Sequence, residues 1–442
     1  MFEAFVSWPS APLTDALVRG AMQKLEGDKS IFLSRLESWK GGDSHLLQWC
    51  TYDDIDHNLT LAHPSTVLAS SYTIRKALIR KHFMHKCADQ YLAKNKASPL
   101  KQALPMTMRL EISFADELDE MWYDELYDLG EEIEKNPGKW WILKPGMADR
   151  GMGIRLFNSK EALRDIFEAF EQDSDGSEDE QQSGTAVVAS QLRFFVIQEY
   201  LMHPLLLNPS EGSGVVNWCR LREISATAQF HLRVYCVASG ALAVYFSTRI
   251  LALFSSEIYC SPTEGCDLRA HLTNTSLQQN PDPDQEYIRL LDELEGLHVI
   301  SAAGESAAAD VLTHADIAAI IEDISDALAE VFRAAVDAPV HFQLLPNAFE
   351  LYGVDFLITH CQLSGTDVNN ARRRFQVNLL EVNAEPAIEL TGPRLHWILE
   401  EIFAGIRKTC IQPFFDRTAV QDEKGDAVKL RKCLELQVRG PA

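Results

Sequence analysis

The run FQVNLLEVNAEPAIELTG, beginning at Phe375, has the make-up of a buried strand but carries two groups that such a strand should exclude. Val377, Leu379, Leu380 and Val382 mark it as β structure, and Glu381 and Asn383 interrupt it. On a regular strand, residues two apart project from one face, so Glu381 and Asn383 leave together while Leu380 and Val382 point the other way. A carboxylate on such a face is costly unless a cation or a donor stands beside it. Whatever fold contains this strand must supply that partner.

A companion acid lies upstream, where YGVDFLITH sets Asp355 between Val354 and Phe356. If the two segments are antiparallel neighbours joined by the loop THCQLSGTDVNNARRR, Asp355 comes close to both Glu381 and Asn383. Three hard oxygen donors on adjacent strands suit Mg²⁺, which commonly takes one or two carboxylates and completes its shell with water and phosphate. The structural alternative for each is a buried arginine or a backbone N–H as partner.

The chain around this strand is long, with 442 residues, which suggests two or three domains packed as a unit. Hydrophobic residues make up 46% and charged residues 24%, the balance of a globular protein. No apolar run reaches the roughly 18 to 20 residues of a membrane span, and the start MFEAFVSWPSAPL lacks a leader pattern, so no membrane association is expected and the reading is cytoplasmic. The nine cysteines are scattered, only Cys260 and Cys266 are close, and they spell neither a zinc site nor a disulfide framework. A net charge of -23 argues against nucleic acid as a partner. An acidic protein partner would have to meet a local basic patch.

Along the chain, residues 1–95 read as a small α/β unit, with a helix that Thr14 or Asp15 could cap and a second helix over SYTIRKALIRKHFMHKCADQYLA. Residues 96–200 form a central lobe with an acidic, serine-rich surface insertion at about 171–185. Residues 201–415 carry the strands FHLRVYCVAS, ALAVYFSTRILALF and the two already described, with the helix THADIAAIIEDISDALAEVFRAAV between them, and 416–442 form a charged tail. Ser239 and Gly240 mark a hairpin turn. Hairpins mixed with helices argue for an α+β class.

Two further groups carry chemistry. WWILKPGMADRGMGI ends an apolar strand in Lys144 and continues into a loop with glycines at 146, 151 and 153, whose backbone could approach a phosphate while the lysine supplies charge. It is neither a Walker loop nor a dinucleotide fingerprint, and a hairpin with permissive turn residues reads equally well. Arg233 and Arg249 lie within apolar runs, where a guanidinium is seldom placed without an anion. In VIQEYL, Gln198, Glu199 and Tyr200 could face a flat base, and Asn274 in HLTNTSLQ is a turn residue or a polar contact.

In this order, SYTIRKALIRK, WWILKPGMADRGMGI, VIQEYL, FHLRVYCV, STRILALFS, HLTNTSLQ, YGVDFLI and LLEVNAEPAI resemble the tubulin-tyrosine ligase family of the ATP-grasp superfamily, over roughly residues 65 to 410. The resemblance implies an α+β, ATP-grasp fold in which two β-rich lobes close over ATP and Mg²⁺, beside a small N-terminal α/β domain. It implies that Lys76 and Lys144 contact nucleotide phosphates beside Gly151 and Gly153, and that Gln198, Glu199, Tyr200 and Leu201 hold adenine. By the same likeness Asn274 contacts phosphate or metal, Arg233 and Arg249 bind the γ-phosphate and the acyl phosphate, and Asp355, Glu381 and Asn383 carry magnesium. The implied reaction activates a protein carboxylate as an acyl phosphate for attack by the amine of a free amino acid, tyrosine or glutamate. A tubulin tail is the leading acceptor, and RKALIRKHFMHK and ARRRF are the candidate basic patches that would meet it. Where the family usually has Lys-Phe-Asp-x-Arg, this chain reads Gln229-Phe230-His231-Leu232-Arg233. That departure keeps two alternatives open, a scaffold that has kept the fold and a ligase with another acceptor.

Overall fold

Three sheets divide the strands of this computed structural model, which describes residues 2–23, 30–42, 44–147, 151–174, 193–212, 227–264, 268–272, 287–300, 310–361, 374–416 and 430–436. The first is parallel, in the order β2-β1-β3-β4, and comprises β1 (Phe2–Ser7), β2 (Ser30–Leu33), β3 (Leu46–Cys50) and β4 (Val67–Ala69). The second is antiparallel, in the order β5-β8-β6-β7, with β5 (Thr107–Glu111), β6 (Trp141–Pro145), β7 (Arg155–Phe157) and β8 (Phe194–Glu199).

The third sheet is the largest, and β10 (Ala228–Ser239) is its spine. It pairs with β14 (Phe349–His360), which in turn pairs with β15 (Phe375–Ala384). It also pairs with β12 (Leu251–Phe254) through Phe230–Arg233 and with β11 (Ala243–Ser247) through Cys236–Ser239. β9 (Leu206–Leu207), β13 (Ile288–Leu290) and β16 (Leu430–Glu435) complete it, and every pairing is antiparallel.

Alternation along β10 explains how this sheet serves both a core and a site. Phe230, Leu232, Val234, Cys236 and Ala238 enter a core shared with the helices His314–Val336 and Lys81–Lys94, and the residues between them take the other face. On that face Tyr235 and Val237 join a second core with β1, β3 and the helix His396–Ile406. The helix His314–Val336 starts where the sequence places it, its Thr313 and Asp316 side chains satisfying each other's backbone N–H groups. The middle sheet keeps a core of its own, with Leu163 and Phe167 of the helix Lys160–Ser174 against Trp141, Phe195 and Ile197.

Several local readings need correction. The helix expected over residues 71–93 breaks at Arg80, whose φ of -108° and ψ of 112° are extended, between Lys76–Ile79 and Lys81–Lys94. The short first segment is anchored from outside, Ala77 N–H donating to the His341 carbonyl at 2.9 Å. Thr14 and Asp15 sit within the first turn of the helix Pro12–Gln23 rather than capping it. The strand expected through Arg249 is two strands, because β11 and β12 share β10, and Arg249 lies in the connection between them. The charged tail contributes β16, which buries Leu434 and pairs with β11. The acidic run begins inside the helix Lys160–Ser174 and continues outside the described residues. Cys260 is disulfide-bonded, against the reading of the cysteines as plain thiols. The hairpin turning at Gly240 is as expected, with that residue at φ 61°. No helix among the described residues is long and apolar enough to cross a membrane.

Candidate functional site

The facing surfaces of the middle and large sheets meet at a cleft lined by Lys144, Gln198, Glu199, Tyr200, Leu201, Gln229, His231, His271, Asp355 and Glu381, with Ile142, Ile154, Leu272, Leu357 and Leu380 as its apolar walls. β6 delivers Lys144, β8 and the residues after it deliver 198–201, and β10, β14 and β15 deliver Gln229, His231, Asp355 and Glu381. The enclosed volume of about 80 Å³ is small against the several hundred Å³ of a typical ligand cleft, so the two sheets stand close.

On the large-sheet side, Asp355 pairs with Arg233 across the β10–β14 ladder and with Glu381 across the β14–β15 ladder. Arg233 grips Asp355 with two nitrogens, Nη2 donating to Oδ2 at 3.0 Å and Nε to Oδ1. Asn383 Nδ2 donates to Asp355 Oδ2 and to Glu381 Oε1, each at 3.1 Å. Gly353 makes the arrangement possible, since a Cβ there would stand 2.8 Å from Pro386 Cβ and 3.1 Å from Arg233 Cδ. The two carboxylates therefore meet the Asn383 amide through its nitrogen, and each carboxylate is also matched by a side-chain cation.

The second cation is Lys81, whose Nζ lies 2.8 Å from Glu381 Oε2. Sequence reasoning did not single it out. Lys76, the lysine that the resemblance names, has its Nζ over the Phe83 ring, 5.3 Å from the centroid, and neither Lys76 nor Lys81 is part of the cleft lining itself. The break at Arg80 makes Lys81 the first residue of the second helix. Burial pushes the Glu381 carboxyl up, but Lys81, then Lys144 and the Asn383 amide, outweigh it and hold the group well below the usual carboxylate range.

A register shift corrects the expected facing of β15. Asp355 opposes Glu381 while Phe356 opposes Leu379, which leaves Leu380 as the extra residue of a bulge. Leu380 accordingly lines the cleft beside Glu381 instead of pointing away, and Val382 resumes the core face with Val377 and Leu379.

On the middle-sheet side, Lys144 Nζ donates to Gln198 Oε1 at 2.7 Å, and Gln198 Nε2 donates to Thr107 Oγ1 at 3.1 Å. Burial lowers the lysine to about 8, with Lys81 adding repulsion against the opposing pull of Glu381 and Asp355. Glu199 is held by Lys139 at 3.0 Å. The Tyr200 hydroxyl lies 2.8 Å from His271 Nδ1, and burial pushes its ionisation far up, so it acts as a neutral hydrogen-bonding group. His271 was also missed, although it opens the run HLTNTSLQ, three residues before Asn274. Asn274 itself lies outside the described residues. Gly151 and Gly153, at φ 74° and 71°, sit in the β6–β7 hairpin connection, and neither lines the cleft.

Arg249 stands apart from the cleft lining, its Nη1 3.4 Å from Asp292 Oδ2 and its guanidinium 5.5 Å from the Trp397 ring centroid. Of the two departures in the Gln-Phe-His-Leu-Arg run, Gln229 Nε2 donates to the His271 carbonyl at 3.1 Å, while its buried Oε1 has no hydrogen-bond partner among the described residues. His231 Nε2 lies 3.6 Å from Asp355 Oδ1, and burial lowers its basicity despite the acid.

Residues 63–419 match the tubulin-tyrosine ligase family. The chain belongs to that family. Within it, this protein is 34% identical over 410 residues to a probable tubulin–tyrosine ligase of Schizosaccharomyces pombe, covering 89% of this chain and 88% of that protein. It is also 34% identical over 395 residues to the Saccharomyces cerevisiae protein PBY1, a probable tubulin–tyrosine ligase, covering 84% of this chain but 47% of the relative. The crystal structure of the C-terminal domain of Kluyveromyces lactis Pby1, an ATP-grasp enzyme interacting with the mRNA decapping enzyme Dcp2, superposes with a TM-score of 0.64 at 26% identity, covering 99% of this chain and all of that one. This member of the tubulin-tyrosine ligase family thus has the ATP-grasp fold and the character of an ATP-dependent ligase. The cleft suits the nucleotide chemically, for it offers a buried lysine, an amide oxygen still wanting a donor, and apolar walls for a flat ring. Two carboxylates and an amide suit Mg²⁺ better than a softer ion, and the described residues contain no group of three or more His, Cys, Asp or Glu arranged for a metal.

Proposed function

We propose that this protein joins the amine of a free amino acid, tyrosine or glutamate, to a carboxylate on an acidic protein tail, with tubulin the leading acceptor. The observation that carries the proposal is the convergence of Lys144 and residues 198–201 from one sheet with Asp355 and Glu381 from another on a single cleft. When bound, ATP would supply the phosphoryl group that turns the acceptor carboxylate into a mixed anhydride, and magnesium would offset its charge. Lys144 would hold a phosphate oxygen, and Gln198 through Leu201 would seat the base, with Gln229 Oε1 open to an N–H donor. Asp355, Glu381 and Asn383 would hold the metal, and Arg233 and Lys81, the cations now paired with those carboxylates, would turn to phosphate and acyl phosphate. We keep Lys76, Gly151, Gly153, Asn274 and Arg249 as proposed contacts of the same reaction. No group here forms a covalent bond to substrate, so the rate would rest on positioning and charge compensation.

Of the two patches expected to meet an acidic tail, RKALIRKHFMHK sends Lys86 into a cavity of about 590 Å³ between the helix Lys81–Lys94 and the edge strand β5. Its lining is mixed in charge, with Lys86 and Arg109 beside Asp89, Glu111 and Glu125, and Arg109 pairs with Asp89 at 3.5 Å. The second patch, ARRRF, is weaker support, since Arg374 is tied to Asp310 and Asp316 and residues 371–373 lie outside the described residues.

The test is phosphate release from ATP and Mg²⁺ with tubulin and with tyrosine or glutamate added in turn. Turnover that requires tubulin and one amino acid, and that Glu381→Gln reduces by at least about a hundredfold, is the expected result. ATP binding without turnover would favour the second reading, a scaffold or a ligase with another acceptor. The Gln229 and His231 departures and the interaction of Kluyveromyces lactis Pby1 with Dcp2 favour that reading.

A further inference from the structure

Gln229 enters the cleft half satisfied. It is 5% exposed and lines the cleft from β10. Its Nε2 donates to the His271 carbonyl at 3.1 Å, whereas Oε1 is buried and has no hydrogen-bond partner among the described residues. That bond also fixes which way round the amide stands, because turning it over would set its oxygen against the carbonyl oxygen. A buried amide oxygen left without a donor is costly, so its natural complement is a ligand N–H or O–H.

Its place along the cleft says which part of a nucleotide it would meet. Gln229 and Arg233 share one face of β10, and Arg233 grips Asp355 at the end where Asp355 and Glu381 oppose each other. Four residues of strand separate them, roughly 13 Å, a span that takes a nucleotide from its outer phosphates to its base. His271 then ties Gln229 to the segment proposed to seat the base, its carbonyl holding the amide while its Nδ1 lies 2.8 Å from the Tyr200 hydroxyl. Ile142, Ile154 and Leu272 form an apolar cluster that lines the same cleft. Gln198 is committed at both ends, to Lys144 and to Thr107, and Glu199 is held by Lys139. Gln229 Oε1 is therefore an open acceptor at the base end of the cleft, among side chains that are apolar or already bonded.

We propose that Gln229 is a specificity-determining residue, its Oε1 accepting from the exocyclic amine of an aminopurine, so that this protein selects ATP against a 6-oxopurine triphosphate. This role rests on the nucleotide reading of the cleft given above, and adds to it which group of the base is read. The chemistry follows from polarity. The 6-amino group of adenine is a donor and the 6-oxo group of guanine or hypoxanthine an acceptor, so an oxopurine in the same pose would set two buried oxygens against each other. A site built around a ligand N–H loses far more on an analogue that lacks it than an apolar pocket does. A lysine, which the usual Lys-Phe-Asp-x-Arg run of the family places at this position, can only donate and could not read the amine.

Three triphosphates that differ at the 6 position of the purine test it by calorimetry with Mg²⁺ on the whole chain: ATP, purine riboside triphosphate with hydrogen there, and ITP with oxygen. Purine riboside triphosphate is expected to bind about five- to tenfold more weakly than ATP, and ITP at least about thirtyfold more weakly. Gln229→Met, similar in length and without the acceptor, should bring all three within about threefold of one another, and Gln229→Lys should bind ITP at least as well as ATP. Lys144→Met should weaken all three alike and keep their order, as expected of a phosphate contact. A melting temperature within a few degrees of the parent shows that each variant is folded. Equal binding of ATP and ITP by the parent, or an unchanged ratio in Gln229→Met, would overturn the role of Gln229 while leaving the nucleotide reading standing. No binding of any of the three at about 1 mM would overturn both.

Discussion

Lys144 is the cleft lysine, and its chemistry depends on its setting. Burial brings it to about 8 from an ordinary 10.5, so near neutral pH it is charged but close to losing its proton. Because its folded-state value is lowered, the unfolded chain holds more protons between about 8 and 10.5. The cost of burying the charge is therefore fully present below that window and is relieved as pH rises through it. Function runs the opposite way. In the free protein, kcat/KM for ATP should fall as pH rises through about 8, and Lys144→Met should be weak at every pH without that limb. A pH profile that is flat to about 9.5 in the parent would remove Lys144 from phosphate binding. Glu381 is the complementary case, since its carboxyl stays ionised throughout the same range.

Strand packing decides how well these residues are aimed, and here the sequence was informative only to a degree. Asp355, Glu381 and Asn383 were legible because charged and amide groups inside apolar runs need partners, and the β14–β15 pairing brings all three together as expected. Lys81 was not legible, because a helix pattern read by periodicity continues through Arg80, where the backbone is extended. The side to which Leu380 points was misread for a related reason, since a bulge is a property of two strands and leaves no mark on one. β16 was hidden by its own charges, its alternation being short and half exposed. Two outcomes belong to this scale. Gly353→Ala should cost about 1–3 kcal/mol of stability and shift Arg233, lowering the melting temperature and ATP turnover together. Ending the chain at residue 416 should remove Leu434 from the core and bare the β11 edge, giving a protein that aggregates at lower temperature than the full chain.

At the scale of the whole molecule, the distribution of cores says which parts can move. The small parallel sheet shares one core with the large sheet, and the helices over residues 76–103 share another with it. Backbone contacts stitch the same junction, Ala69 N–H donating to the Asn347 carbonyl while the Asn347 side chain donates to Thr60 and Val67 carbonyls. The middle sheet has a core of its own and joins the rest through the small cluster of Ile142 and Ile154 with Leu272. Hydrogen exchange with and without ATP and Mg²⁺ should therefore show slowing concentrated in residues 141–145 and 194–201, with residues 2–7 and 46–50 unchanged. Slowing spread evenly over all three sheets would contradict it. On that prediction the protein works as a two-part tool, with two sheets as the anvil and the third as a jaw set against it. The cleft between them, about 80 Å³, is smaller than the several hundred Å³ that a bound ligand typically fills, so nucleotide binding should widen it.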